Sequence, residues 1–155
     1  TMGRVFISAE GKLPPGLERL RLKLPAEQIH QVMAHSALVF SEGATMAAEA
    51  AVLGVPTIHY SDLQPGYIAD LENRHALLRS FAGRDLGQAL ALGKELLREG
   101  DASRQARLRR KEQMLEKSID VAEFMAWFID RYPRSSEADG LAGADGRRFT
   151  QAGRR

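Results

Sequence analysis

Gly43, Thr45 and Glu49 are the residues of this chain whose types and spacing best suit chemistry. They lie in Ser41-Glu-Gly-Ala-Thr-Met-Ala-Ala-Glu-Ala-Ala-Val-Leu-Gly54, between the apolar runs Ala37–Phe40 and Val55–Tyr60. The pattern predicts strand, tight loop, helix, strand. A helix that opens directly from a loop of small residues leaves its first N–H groups without intrahelical acceptors, and its dipole adds positive potential at the same end. Such an end holds anions, phosphate most naturally. Glu49 stands four residues after Thr45, about one helical turn, so hydroxyl and carboxylate face the same way. The plain alternative is a buried helix in which Glu49 bonds a neighbouring backbone group.

Other candidates follow from the ends of the strands. Glu10 and Glu42 both come after apolar runs, which would put them at the carboxyl edge of a sheet, where open α/β folds bind ligands. They read either as a sugar-contacting or acid/base pair or as ordinary polar residues at strand exits. Glu42 beside a phosphate site would repel the ligand unless it points away or works near the sugar. His59 ends a strand on the same edge, where it either contacts a ligand or simply packs. Tyr67 and Arg74 follow the last clear strand and are weaker candidates for sugar or phosphate contact. His30 and His35 are five apart, out of register for a helical metal pair, and no third ligand accompanies them. The residues call for no metal and no cofactor.

These side chains need a scaffold of alternating strands and helices. Arg4–Ser8 suits a buried strand, and Arg19–Leu24 alternates apolar and cationic residues as a half-exposed strand does. Pro25 opens a helix to about Ser36, and Ala37–Phe40 is the next strand. Gly54 sits where a helix wants its C′ glycine, and Val55–Tyr60 is again strand. A helix over Tyr67–Arg74, the apolar piece Ala76–Leu78 and a helix from Asp85 to Glu99 follow. The spacing is that of βαβ units and predicts an α/β fold, a Rossmann-like parallel sheet with helices on both faces. Asp101 caps an arginine-rich helix and Asp120 a short apolar one. One domain is expected over residues 1–132, with 133–155 a disordered tail of Ser, Gly, Ala, Asp and Arg.

Composition narrows the class. A chain of 155 residues with 44% hydrophobic and 27% charged content can bury a real core. No apolar run reaches the roughly 18 residues that a transmembrane segment needs. The absence of cysteine suits a reducing compartment, and with no secretory pattern at the start a cytoplasmic location is expected. The net charge of +2 resides in the tail, where five arginines from Arg134 onward outnumber three acids. Arg104, Arg107, Arg109, Arg110 and Lys111 read as a solvated helix face, without the interleaved aromatics of a nucleic-acid surface, so no nucleic-acid partner is expected.

Ser41 to Pro56 resembles the signature Gly-x-Gly-(Gly/Ala)-Thr-Met-x-x-Glu-Ala-Ala-x-Leu-Gly-x-Pro. That signature belongs to an uncharacterised family of glycosyltransferase-B (GT-B) proteins related to UDP-N-acetylglucosamine 2-epimerase, and the likeness is to their carboxyl-terminal half. Thr45, Met46, Glu49, Ala50, Leu53, Gly54 and Pro56 match it directly. Phe6–Pro14, Ile29-His30, Pro65-Gly-Tyr67 and Leu71-Glu72 resemble the same family in the same order, so the likeness spans about Arg4–Pro133. Ser41 stands where glycine is common and adds a hydroxyl donor, and Ala44 replaces the second glycine.

The resemblance implies a nucleotide diphosphate sugar, a UDP-sugar above all, as the partner. Gly43, Ala44 and Thr45 would hold the phosphates and Glu49 the ribose hydroxyls, with Ser41 and Met46 also among the nucleotide-binding residues. It also implies glycosyl transfer across a cleft whose other wall, an amino-terminal GT-B domain, is expected to lie outside this chain, leaving the chain inactive alone. Epimerisation at C2 of a UDP-amino sugar is the alternative within the fold, and a non-catalytic interaction module is the alternative outside it.

Overall fold

The computed structural model describes residues 3–136, which form two compact units divided between Gly100 and Asp101. The expected tail lies outside the described residues from 137 onward. Its first residues depart from the expectation of disorder, because Arg134–Ser136 form a 3-10 turn with Ser135 only 2% exposed. The Ser135 hydroxyl donates to the Phe128 carbonyl at 2.6 Å, which holds the turn.

The first unit is built on a parallel three-stranded sheet in the order β1 (Val39–Ser41), β2 (Thr57–Tyr60), β3 (Arg79–Phe81). Helix α1 (Ile29–Ala34) precedes the sheet, α2 (Ala44–Val52) links β1 to β2, α3 (Gly66–Asn73) links β2 to β3, and α4 (Leu86–Leu96) follows. Both crossovers move the same way along the sheet, so right-handed connections put α2 and α3 side by side on one face, and the two helices do touch. Helix α4 covers the other face. A Cβ added to its Gly93 would lie 3.4 Å from Leu38 and 3.5 Å from Ile58. The chain is therefore an α/β protein with a Rossmann-like, doubly covered parallel sheet.

The ends of α2 show how sequence becomes geometry. Three alanines, Ala47, Ala50 and Ala51, are 0% exposed and let the helix lie close against the strands. At its far end the Val55 N–H bonds the Ala50 carbonyl and the Gly54 N–H bonds the Ala51 carbonyl, the paired closure that requires a left-handed residue at C′. Gly54 supplies it with φ of 85°. Gly54→Ala is expected to lower the unfolding free energy by about 1–2 kcal/mol, the cost of a Cβ in that region, as read by urea denaturation.

Several expectations need correction. Arg4–Ser8 does not join the sheet. Only Ile7 pairs, in an isolated parallel bridge to Arg21, and Val5 and Phe6 are exposed. The alternation of Arg19–Leu24 gives no strand either, since Glu18–Leu20 form a 3-10 turn and Arg21 donates to the carbonyls of Ala9 and Gly11 at 2.8 Å. Alternation needs a pleated neighbour to reward it, and the ladder of β1–β3 does not extend that far. The helix expected from Pro25 begins as a 3-10 turn, Ala26–Gln28, before α1. The apolar piece before Arg79 buries Leu77 and Leu78, and β3 follows it where no strand was expected.

The second unit holds α5 (Asp101–Lys117) and α6 (Val121–Asp130). The basic residues of α5 do not form one solvated face. Arg107 is only 6% exposed, because it shares a helical stripe with buried Met114 seven residues on, while Arg104 and Arg109 are exposed. In α6, Asp120 caps as its type predicts, accepting from the Glu123 N–H at 3.0 Å. The apolar content of α6 is not matched by burial. Phe124, Trp127 and Phe128 gather half-buried, with ring centroids 6.0 and 6.1 Å apart around Phe124, but none of the helix's residues is buried. Asp120→Ala is expected to cost about 1 kcal/mol in chemical denaturation, since the Glu123 N–H loses its acceptor.

Candidate functional site

The carboxyl edge of the sheet is where β1 and β2 end and where α2 and α3 begin. Ser41 and His59 are register partners there, and Ser80 of β3 pairs with His59 on its other side. The three share the sheet face that carries α2 and α3. Beyond Ser41 the chain turns through Glu42 and Gly43 into α2.

Gly43 is the N-cap of α2 and has no side chain to cap it, and the first intrahelical bond runs from the Ala47 N–H to the Gly43 carbonyl at 3.1 Å. The N–H groups of Ala44, Thr45 and Met46 therefore precede the helical ladder and point out of its positive end. Gly43 has φ of −76° and ψ of 121°, extended backbone open to any residue. A Cβ there would meet nothing nearer than the Ser41 hydroxyl at 3.8 Å. The fold does not demand this glycine, and with no side chain there the helix end is left open.

The residues expected to bind are brought together unequally. Ser41 is buried and donates its hydroxyl to the Gly43 carbonyl at 2.9 Å, so that hydroxyl serves the loop rather than an incoming anion. Ala44 begins the helix without positive φ and keeps its N–H at the helix end. Thr45 is exposed, and Met46 is half-buried. Glu49 is not the buried, backbone-bonded residue of the plain alternative. Its side chain is 41% exposed and its Oε2 lies 3.2 Å from His30 Nε2 on α1. His30 thus joins the site, although its sequence position suggested only an isolated helical histidine; no local signal marks a pairing between two helices.

Glu42 is exposed in the loop, away from any charge partner among the described contacts. Tyr67 lies in the first turn of α3, exposed, on the same edge as the start of α2. Arg74 is at the opposite end of α3, because a crossover helix runs antiparallel to its strands, and it pairs with Asp70 at 2.9 Å. That exposed pair contributes little. Glu10 sits in a bend outside the sheet, held through its neighbours by Arg21, so it does not form an edge pair with Glu42. Among the described residues no group of three or more His, Asp or Glu gathers as a metal site.

His59 is 0% exposed. Its Nδ1 lies 2.9 Å from the Ser80 hydroxyl, while its Nε2 has no hydrogen-bond partner. Burial holds the imidazole below its ordinary pKa, opposed in part by the adjacent Glu42 backbone carbonyl and the Glu72 carboxylate. A buried neutral histidine makes stability depend on pH. As pH falls through about 6.5 the unfolded chain takes up a proton that the folded one resists, so stability falls on the acid side. The drop in unfolding free energy between about pH 7.5 and about pH 5.5 is expected to shrink in His59→Asn, measured by denaturant titration at both values.

Fold and edge together define a Rossmann-like α/β domain with an uncapped helix start at the carboxyl edge of its sheet. Against known proteins, the chain matches no family model, no curated protein and no solved structure. No helix among the described residues is long and apolar enough to cross a membrane.

Proposed function

We propose that this domain binds a nucleotide diphosphate sugar, a UDP-sugar above all, as the nucleotide-binding half of a GT-B glycosyltransferase-like protein. The observation that carries the reading is the start of α2: three N–H groups ahead of the ladder, no capping side chain, and an accessible glutamate one turn further on. The diphosphate takes the N–H groups of Ala44, Thr45 and Met46, with the Thr45 hydroxyl beside them. Glu49 accepts from the two ribose hydroxyls, as an ionised carboxylate can, and His30 holds it from the other side. Tyr67, exposed in the first turn of α3 on the same edge, serves the sugar.

In transfer, fixed N–H dipoles stabilise charge on the departing diphosphate while an oxocarbenium-like centre develops. A general base would come from an amino-terminal GT-B domain across the cleft, which makes turnover depend on that partner. A cytoplasmic location accords with a chain free of cysteine.

Isothermal calorimetry with UDP and UDP-N-acetylglucosamine tests the reading. Binding is expected for both, and Glu49→Ala should weaken it by about tenfold or more, the worth of a hydrogen bond to a charged acceptor. The same variant should leave stability almost unchanged, because its pair with His30 is solvent-exposed. No heat with either ligand would retire the reading.

A further inference from the structure

Glu49 lies one turn inside α2, and a long side chain on a helix leans toward the helix N-terminus, which carries this carboxylate toward Thr45 and the free N–H groups. An exposed glutamate samples several rotamers unless a partner fixes it. The Glu49 side chain is 41% exposed, and among the described residues its one partner is His30, whose Nε2 lies 3.2 Å from Oε2. That imidazole comes from a separate helix. α1 packs on α2, and Met33, three residues beyond His30 and only 4% exposed, seats α1 in the fold. An ionised carboxylate can only accept, so the ring nitrogen that faces it carries a proton. Neutral or charged, His30 presents Nε2–H to Oε2. The bond leaves all of Oε1 and a lone pair of Oε2 for a ligand, and the His30 side chain is itself 56% exposed, so the pair is open to one. Acceptors on both oxygens of one held group match two adjacent hydroxyls.

We propose that His30 is a positioning residue for Glu49: it holds the carboxylate in one rotamer, aimed at a vicinal diol, and through it sets a preference for ribose over 2′-deoxyribose. The ribose half of this inference rests on the nucleotide reading; the holding of the carboxylate does not. An exposed pair contributes little to stability, so its effect falls on binding, where a side chain already ordered has less freedom to lose. A 2′-deoxyribose offers one donor where two acceptors are set out. The unmade bond costs more with a fixed carboxylate than with one free to turn to water.

NMR of the full chain without ligand decides the first half. Three-bond couplings along the Glu49 side chain are expected to report one rotamer, to average in His30→Ala, and to recover in His30→Gln, whose amide can donate where Nε2–H did. Averaged couplings in the unaltered chain, or couplings indifferent to His30→Ala, overturn the positioning whether or not UDP binds. Calorimetry with UDP and 2′-deoxy-UDP decides the second half. The unaltered chain should prefer UDP by about fivefold. In His30→Ala, affinity should fall about fivefold for UDP and about twofold for the deoxy ligand, the loss expected when a rotamer-rich side chain must be ordered on binding. The preference then narrows to about twofold, and His30→Gln should restore most of it. Equal losses for both ligands overturn the specificity, since a merely structural defect weakens both alike. Failure of UDP to bind the unaltered chain retires the nucleotide reading and the ribose preference with it, while the couplings still decide whether His30 holds the carboxylate. Both variants are expected to fold, because the pair is exposed to solvent.

Discussion

Gly43→Asp is expected to make the protein more stable and to abolish UDP binding by about a hundredfold or more. The two effects share one cause. Gly43 occupies the N-cap of α2 in extended backbone, with φ of −76°, so aspartate enters without strain. Its Cβ would meet only the Ser41 hydroxyl, at an ordinary 3.8 Å. An N-cap aspartate accepts from the N–H of Thr45 or Met46, and its charge complements the dipole, together contributing on the order of 0.5–1 kcal/mol beyond glycine. The same carboxylate occupies the donors a diphosphate would use and repels it at contact distance. Removing that anion's donors and adding a like charge outweighs a few kcal/mol of binding, hence the hundredfold loss. Denaturant titration paired with calorimetry checks both signs. If stability rises and UDP binds as before, the start of α2 is not the phosphate site; if stability falls, the N-cap geometry is not as described.

The second large effect lies under the sheet. Ile58→Ala is expected to cost about 2–5 kcal/mol, read from the shift of the urea midpoint at constant slope. Ile58 is 0% exposed in the central strand, bonded on both sides to β1 and β3, so the backbone below it cannot collapse into the space. Above it, Gly93 brings α4 close enough that a Cβ would lie 3.5 Å from the Ile58 side chain. The cavity therefore persists, and the loss belongs in the upper half of that range. Against a total of about 5–15 kcal/mol for a domain, such a change unfolds a large fraction of the protein on warming. A loss below about 1 kcal/mol would mean that α4 does not pack on this face.

The central βαβ unit was legible because each of its signals is local. Apolar runs flank a helix of small residues, and Gly54 stands where a left-handed closure is needed, all within about one crossover of sequence. Asp120 was legible for the same reason, since an N-cap bonds three residues ahead. The first strands were misread because alternation reports an amphipathic segment, not a neighbour to pair with. Leu20, Leu22 and Leu24 alternate as a strand would, yet only Arg21 makes a bridge. Arg107 was misread as solvated because its charge is visible in sequence and its helical stripe with Met114 is not.

At the candidate site the division is sharper. Residue types alone determined that a helix would open from the small-residue loop after Phe40 with N–H groups to spare, and that Thr45 and Glu49 would share its face, as the helical repeat requires. Tertiary structure decided the rest. It spent the Ser41 hydroxyl on the Gly43 carbonyl, sent Arg74 to the far end of α3, left Glu10 outside the sheet and brought His30 from α1 to within 3.2 Å of Glu49. It also linked His59, Ser80 and Gln64 by hydrogen bonds of 2.9 and 2.8 Å. The physical reason is range: dihedral preferences and i to i+4 contacts act within a turn of chain, whereas strand register and helix direction place residues separated by a whole crossover side by side.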